Sequence, residues 1–407
     1  MIALAWRSAP TYATGMTDRA QDFDPEVPED FDSPHIEYAR LRSECPVAYT
    51  NGLGGFWALT RYEDVKRAAS DSSTFITSVQ NVVPKVAFTG RRPPLHLDPP
   101  EHTPYRKALN PLLSLERSEQ FADKARELTR ALLDPMVERG GGDICVELSS
   151  YLPVHVFGEW MRMPSEWLET LHDAGRAFIL AVHSNTPERM KETSLRLYDM
   201  ARGLIAIRRE HPQDPDLDPT SALLAARHEG EPLPDELLVG TVRQVLVVGM
   251  VAPMVMIGNM CVHLSRDQAL QQQLRGDLSL VPAAIEEFLR LYTPYRGFAR
   301  TAVCPVEMGG RTIPEGEAIA LLYASANRDE TVFPDGDKFI LDRPNIAQHL
   351  AFGRGPHNCP GIHLGRMQLR VALEEILKAT SAFDLAGPIT VSRWPEVGAL
   401  SVPLRFS

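Results

Sequence analysis

Several things are scarce in this chain of 407 residues, and each scarcity excludes something. The five cysteines, Cys45, Cys145, Cys261, Cys304 and Cys359, are odd in number, scattered and without paired spacing. That argues against a disulfide framework and fits a reducing, cytoplasmic setting. Positive charge is short: 42 Lys and Arg stand against 53 Asp and Glu, for a net charge of −11. With no basic cluster, nucleic-acid binding is set aside. There are no internal repeats and no low-complexity segments. No glycine-rich dinucleotide fingerprint sits in a βαβ context, so any nicotinamide-derived electrons must arrive from elsewhere.

Long apolar runs are nearly absent. The N-terminal MIALAW is too short for a signal core, and Arg7 ends it. Met16 opens a second plausible start, MTDRAQDFDP, so residues 1–20 are expected to be a disordered leader to one domain over 21–407. The exception is 245–262, VLVVGMVAPMVMIGNMCV, which by length nearly spans a bilayer. Gly249, Pro253, Gly258 and Asn259 interrupt it, and no aromatic or basic residues flank both ends. The expectation is a central helix buried on all sides, with no membrane contact.

What is present is concentrated at 349–366, HLAFGRGPHNCPGIHLGR. Phe352, Gly353, Gly355, His357, Cys359 and Gly361 follow the spacing Phe-Gly-x-Gly-x-His-x-Cys-x-Gly. An apolar periodic segment follows to Lys378, so Cys359 lies just ahead of a helix N-terminus. Free N–H groups and the helix dipole there are expected to lower the thiol pKa. Three readings are open: a buried structural cysteine, a zinc site with His357 and His363 that lacks a fourth ligand, or a thiolate ligand to haem iron. The stretch resembles the haem-ligand loop of the cytochrome P-450 family, with every diagnostic position filled.

Read in order, 17–50 is acidic and Pro-rich and suggests an extended lead-in. Residues 55–60 alternate like a strand, 61–65 open a short helix, and 76–100 read as a long loop. Amphipathic helices are expected over 115–140 and 165–210 around a loop at 139–143, with a hinge-like stretch over 211–234. Asp235 is a candidate N-cap for a helix to about Leu264. Short strands and turns are expected over 383–407.

The resemblance extends over nearly the whole chain and implies a mainly α fold with a small β-rich region, haem b lying between the long central helix and the cysteine-loop helix. His102 and Arg106, four apart, would bind haem propionates with Arg300; alone, the pair also reads as a solvated helix start. Glu287 and Arg290, with Arg343, would form a buried ion-pair network, where an exposed i,i+3 pair is the plainer reading. Phe178 and Val182 would roof the substrate pocket, with His183 a surface or packing residue rather than a catalyst. Val245, Val248, Tyr295, Phe298 and Val397 would line it.

The chain departs from the family at the central helix. The usual glycine, acid and alcohol fall on Gly249, Val251 and Ala252, followed by Pro253; no Ser, Thr, Asp or Glu occurs from Arg243 to Leu264. Val251 and Ala252 cannot carry a proton. Pro253 removes an N–H and is expected to kink the helix, while Gly249 is expected to permit close approach to the haem.

The implied reaction is O2 activation with insertion of one oxygen atom into a C–H bond of a small organic, conceivably aromatic, substrate by hydroxylation or O-dealkylation. Electrons would pass from NAD(P)H through a ferredoxin-type partner or a reductase domain beyond Ser407, docking near a basic patch of Arg106, Lys107, Arg354, Arg366 and Arg370. Two rivals stay open: a haem-thiolate peroxygenase or isomerase that does not use O2 with a reductase, and a non-catalytic haem binder.

Overall fold

A computed structural model describes residues 20–27, 29–85 and 89–407; apart from Ala20, the expected leader lies outside the described residues. The helices are α1 (Ser33–Glu44), α2 (Tyr62–Ser70), α3 (Thr103–Leu109), α4 (Leu115–Glu119), α5 (Ala122–Glu138), α6 (Leu152–Trp160), α7 (Leu168–His183), α8 (Pro187–Glu210), α9 (Pro219–Ala225), α10 (Asp235–Arg266), α11 (Gln268–Gly276), α12 (Val281–Leu291), α13 (Tyr323–Ala326) and α14 (Ile362–Ala379). The amphipathic ones bury what their period dictates. In α7, Leu171, Ala174, Gly175, Phe178 and Val182 recur at helical spacing and face the core.

The strands are short: β1 (Val47–Thr50), β2 (Phe56–Leu59), β3 (Phe75–Ile76), β4 (Gly141–Asp143), β5 (Arg227–His228), β6 (Glu231–Pro232), β7 (Ala299–Ala302), β8 (Val306–Met308), β9 (Arg311–Ile313), β10 (Ala318–Leu321), β11 (Phe383–Leu385), β12 (Thr390–Val391), β13 (Ala399–Ser401) and β14 (Pro403–Phe406). The main sheet has the order β1-β2-β10-β7-β3, with β10 parallel to β2 and its other pairs antiparallel. It carries Arg300 on β7. A second sheet, β11-β14-β4, closes the far end of the chain.

Helix α10 runs through the middle of the helical region and packs against α6, α7, α8 and α14. It is long and apolar enough to cross a membrane, yet 78% of its most apolar window is buried within the protein, the signature of a core helix. It stays helical through Pro253. Pro253 has no N–H, so the Gly249 carbonyl cannot receive its helical bond. The cap is Pro234, and Asp235 instead pairs with Arg209 from the first turn.

Three sequence expectations are corrected. The lead-in contains the 12-residue helix α1, held by the buried side chains of Tyr38, Leu41 and Arg42 rather than by amphipathic periodicity. The expected loop at 139–143 contains β4, whose partner β14 lies at the other end of the chain, out of reach of local pattern reading. The hinge-like stretch holds α9, capped by the Asp218 side chain, and the β5–β6 hairpin.

Candidate active site

The cysteine loop is built by backbone. The Cys359 N–H donates to the Phe352 carbonyl at 2.8 Å, and Gly353 and Gly355 both adopt φ +71°. At Gly355 a side chain would also strike the Ala69 carbonyl oxygen at 2.6 Å, so the loop lies tight on the end of α2. Gly361 caps α14, and its N–H donates to the Cys359 sulfur. Cys359 is half-buried as a residue, with its thiol on the inner side. The expected lowering of its pKa is not what the structure shows. Burial raises it above the ordinary thiol value, and the Gly361 N–H, Arg106 and Arg366 oppose that only in part.

Cationic groups converge on the same place. The His102 and His357 rings lie 5.2 Å apart, and Arg106 and Arg300 act electrostatically on His357. Arg300 is buried and, among the described residues, its side chain bonds the Ala299 carbonyl and the Tyr323 hydroxyl. Arg106 has no carboxylate partner among the described residues; the Cys359 sulfur is the group that favours its charge. Asp98 opposes this positive charge, and it is taken up by Thr77, Ser78 and His357. His102 is itself engaged, with Nε2 on the Pro356 carbonyl at 3.4 Å and Nδ1 on Thr103 Oγ1 at 3.2 Å. A thiol beside Arg106, with the buried Arg300 acting on the neighbouring His357 and no ion pair to either arginine among the described residues, fits an iron porphyrin with two propionates. It does not fit zinc: among the described residues, the one cluster with metal-ligand spacing is Glu169, His172 and Asp173, away from Cys359.

Glu287, Arg290 and Arg343 come together fully buried. Arg290 donates to both Glu287 oxygens at 2.7 and 2.8 Å, and Arg343 Nε reaches them at 3.0 and 3.2 Å. Both guanidinium groups also bind carbonyls of the 327–338 meander, so this network ties α12 to the segment leading into the cysteine loop. Beside it, Glu286 accepts from His349 at 3.0 Å and doubly from Arg366 at 2.6 Å. Burial alone would raise its pKa, but these donors hold it at about 2 against an ordinary 4.5. Such a group stabilises the fold fully above pH 4.5 and loses that contribution as pH falls toward 2. Glu286→Gln is therefore expected to flatten the acid limb of thermal stability, removing on the order of 2 kcal/mol at neutral pH after screening of this partly exposed pair. Melting temperatures across that limb check it; an unchanged slope contradicts it.

The expected basic patch is thinner than its sequence suggests. Arg366 is neutralised by Glu286, and Arg370 by Glu119 and Glu374, while Lys107 and Arg354 stay exposed.

On the opposite wall, Val248 is 45% exposed although it lies midway along a buried helix. Gln244 and Ala252, one turn to either side, are also accessible. The stripe continues into Val255 and Asn259, which lie against Gly398 and the Tyr292 carbonyl. Val251 points instead into a packed cluster with Ile179 and Val255. Gly249 needs its missing side chain for another reason than expected: a Cβ there would sit 2.3 Å from the Phe157 ring of α6. Tyr295 and Phe298 pack with ring centres 4.6 Å apart and planes tilted by 32°, and Val397 is tied to the same segment through the Pro294 carbonyl. Phe178, Val182 and Val245 share one apolar cluster across α7 and α10. Sequence reasoning missed Glu396, which accepts from His183 Nε2 at 2.6 Å and from the Tyr295 hydroxyl, whose pKa it raises along with burial. This buried pair latches the α7 roof to the last turn, and no local sequence signal links residues so far apart.

The cytochrome P450 family profile matches residues 159–388. The mycinamicin IV hydroxylase/epoxidase of Micromonospora griseorubida is 33% identical over 381 residues, 91% of this chain and 94% of that protein. This chain belongs to the cytochrome P450 family. The P450 is also 31% identical to the linalool 8-monooxygenase of Pseudomonas putida, covering 86% of this chain and 90% of that one. A P450 structure from Chondromyces apiculatus superposes with a TM-score of 0.83 at 27% identity, covering 95% of this chain and 98% of its own. The P450 is thus a haem b monooxygenase of mainly α fold with small sheets, served by NAD(P)H-derived electrons through partner proteins.

Proposed function

We propose that this P450 oxidises a small aromatic substrate by C–H hydroxylation or O-dealkylation, with Cys359 as the iron ligand. The observation that carries the ligand assignment is a thiol that accepts the Gly361 N–H beside Arg106, which has no carboxylate partner among the described residues. Arg106 and Arg300 would hold the propionates, with His102 and His357 bracing them; Phe352 and Gly353 shape the loop. Haem b, when bound, would supply the oxygen chemistry, in which O2, two electrons and two protons give one oxygen atom to the C–H bond and one water. The chain's own work is to orient the substrate, exclude water and pass protons.

The aromatic reading is supported by the packed, tilted Tyr295–Phe298 pair and the apolar faces of Val248, Ala252 and Val397. For an aryl methyl ether, hydroxylation at the methyl carbon gives a hemiacetal that breaks to phenol and formaldehyde. Formaldehyde release from methoxyarenes that requires O2, NADPH, ferredoxin and ferredoxin reductase supports the reading. Turnover with peroxide alone and none with O2 would transfer the assignment to a peroxygenase.

Proton passage is where this P450 must differ. Ala252 offers no hydroxyl, whereas the Gly249 carbonyl, freed of its helical donor by Pro253, is an acceptor able to hold a water. Ala252→Thr is expected to change product formed per NADPH by less than about twofold, under half a kcal/mol in barrier terms. A large gain would mean that the native site has no substitute relay. A ferredoxin-type donor would dock near the exposed Lys107 and Arg354. The cytoplasm is the expected location, in keeping with five unpaired cysteines.

A further inference from the structure

Outside the haem-side cluster, the described residues hold a second concentration of positive charge, and this one is buried. Arg92 lies on the loop before α3 and Arg243 near the middle of α10, 7% and 1% exposed. They act on each other electrostatically, and neither has a carboxylate partner among the described residues. The loop reaches α10 because residue 240 is glycine: a Cβ there would lie 1.9 Å from the Arg91 carbonyl oxygen. Arg243 donates to Ser194 Oγ at 3.0 Å and lies 4.5 Å above the Phe178 ring, which holds its guanidinium flat. Arg92 contacts His96 Nε2 at 3.4 Å. The Nε atoms of both arginines and the Tyr198 hydroxyl are buried and have no hydrogen-bond partner among the described residues. His96, surrounded by burial and then by Arg92, Arg243 and Arg91, is pushed down to about 3 and is neutral.

Two adjacent buried guanidinium groups are costly unless an anion joins them. Stranded donors on both, with a hydroxyl beside them, form a recognition set for a small oxyanion. The place is telling: Arg243 packs on the roof residue Phe178, and its neighbour on α10, Gln244, lies on the accessible stripe one turn from Val248. We propose that Arg92 and Arg243 form an anion subsite at the outer end of the pocket that binds the carboxylate of the substrate, so that the substrate is an aromatic carboxylic acid whose far end meets the haem. This rests on the pocket reading given under the proposed function and narrows its substrate class. The rise along α10 from Arg243 to Val248 is about 7.5 Å, a span that one substituted aromatic ring covers.

The test uses the haem-loaded protein and three probes matched in shape: 4-methoxybenzoate, 4-methoxybenzamide and 4-methylanisole. Binding is followed by calorimetry and by the haem spin-state shift. The carboxylate is expected to bind about tenfold or more tighter than the amide. Arg243→Gln and Arg92→Gln are each expected to close that gap, and Arg243→Lys to restore part of it. If the neutral probes shift the spin state but the carboxylate binds no better than the amide, the anion subsite is overturned and the pocket reading stands. If the carboxylate binds in an arginine-dependent way without any spin shift, the site is not part of the pocket, and the proposed substrate class fails. Stabilisation by chloride alone, with no carboxylate preference, marks a structural anion and overturns the proposal equally. Should either variant fail to fold, the comparison of carboxylate with amide on the unaltered protein still decides.

Discussion

Replacing Cys359 by serine leaves a folded protein that no longer oxidises any substrate. The loop around it is held by the Cys359 N–H on the Phe352 carbonyl and by two glycines at positive φ, none of which involves the sulfur. Structure should therefore survive the change. What is lost is a soft, electron-rich ligand; a serine hydroxyl at the same place neither ionises readily nor donates charge comparably. Burial raises the thiol pKa in the protein alone, and iron bound under the proposed ligation would favour the anion. The expected result is product formation below detection with melting temperature close to the parent, measured on the same preparation. A variant with substantial O2-dependent activity contradicts the ligand assignment.

Glu287→Gln is expected to do the opposite: to damage the fold rather than the chemistry. Its carboxylate is fully buried and shared by Arg290 and Arg343. Removing one partner from such a network strands charges that neither water nor another acid can reach, at a cost of roughly 3–5 kcal/mol. Because both arginines also gather the carbonyls of residues 327–338, the strain passes to the segment that leads into the cysteine loop. Low haem content and a strongly reduced melting temperature are expected together. A variant that retains full haem and melts within a degree or two of the parent would show that the network is dispensable.

What could be read from the sequence divides along physical lines. The cysteine loop was legible because its determinants are local: glycines for positive φ, a cysteine ahead of a helix, a fixed spacing. The Glu287–Arg290 pair was legible because i,i+3 neighbours meet on any helix. Arg106 and Arg300 were found only through family resemblance, and geometry then placed both near His357. What escaped depends on partners remote in the chain. Strand β4 exists because β14 pairs with it, and α1 because tertiary burial holds a weakly patterned segment. The Glu396 latch joins the last turn to α7. Arg366 and Arg370 looked like free surface charge until Glu286 and Glu119 appeared beside them. Arg92 and Arg243 drew no attention, since a buried, unpaired arginine looks the same in sequence as an exposed one. The pKa of Cys359 was misjudged because helix position was legible and desolvation was not.

The central claim is thiolate ligation by Cys359. The most direct measurement is the absorption spectrum of the purified, dithionite-reduced holoprotein under carbon monoxide. The expected result is the strongly red-shifted Soret band of thiolate-ligated haem, and its loss in Cys359→Ser. A band where histidine- or thiol-ligated haem absorbs, in protein that is otherwise native, would contradict it.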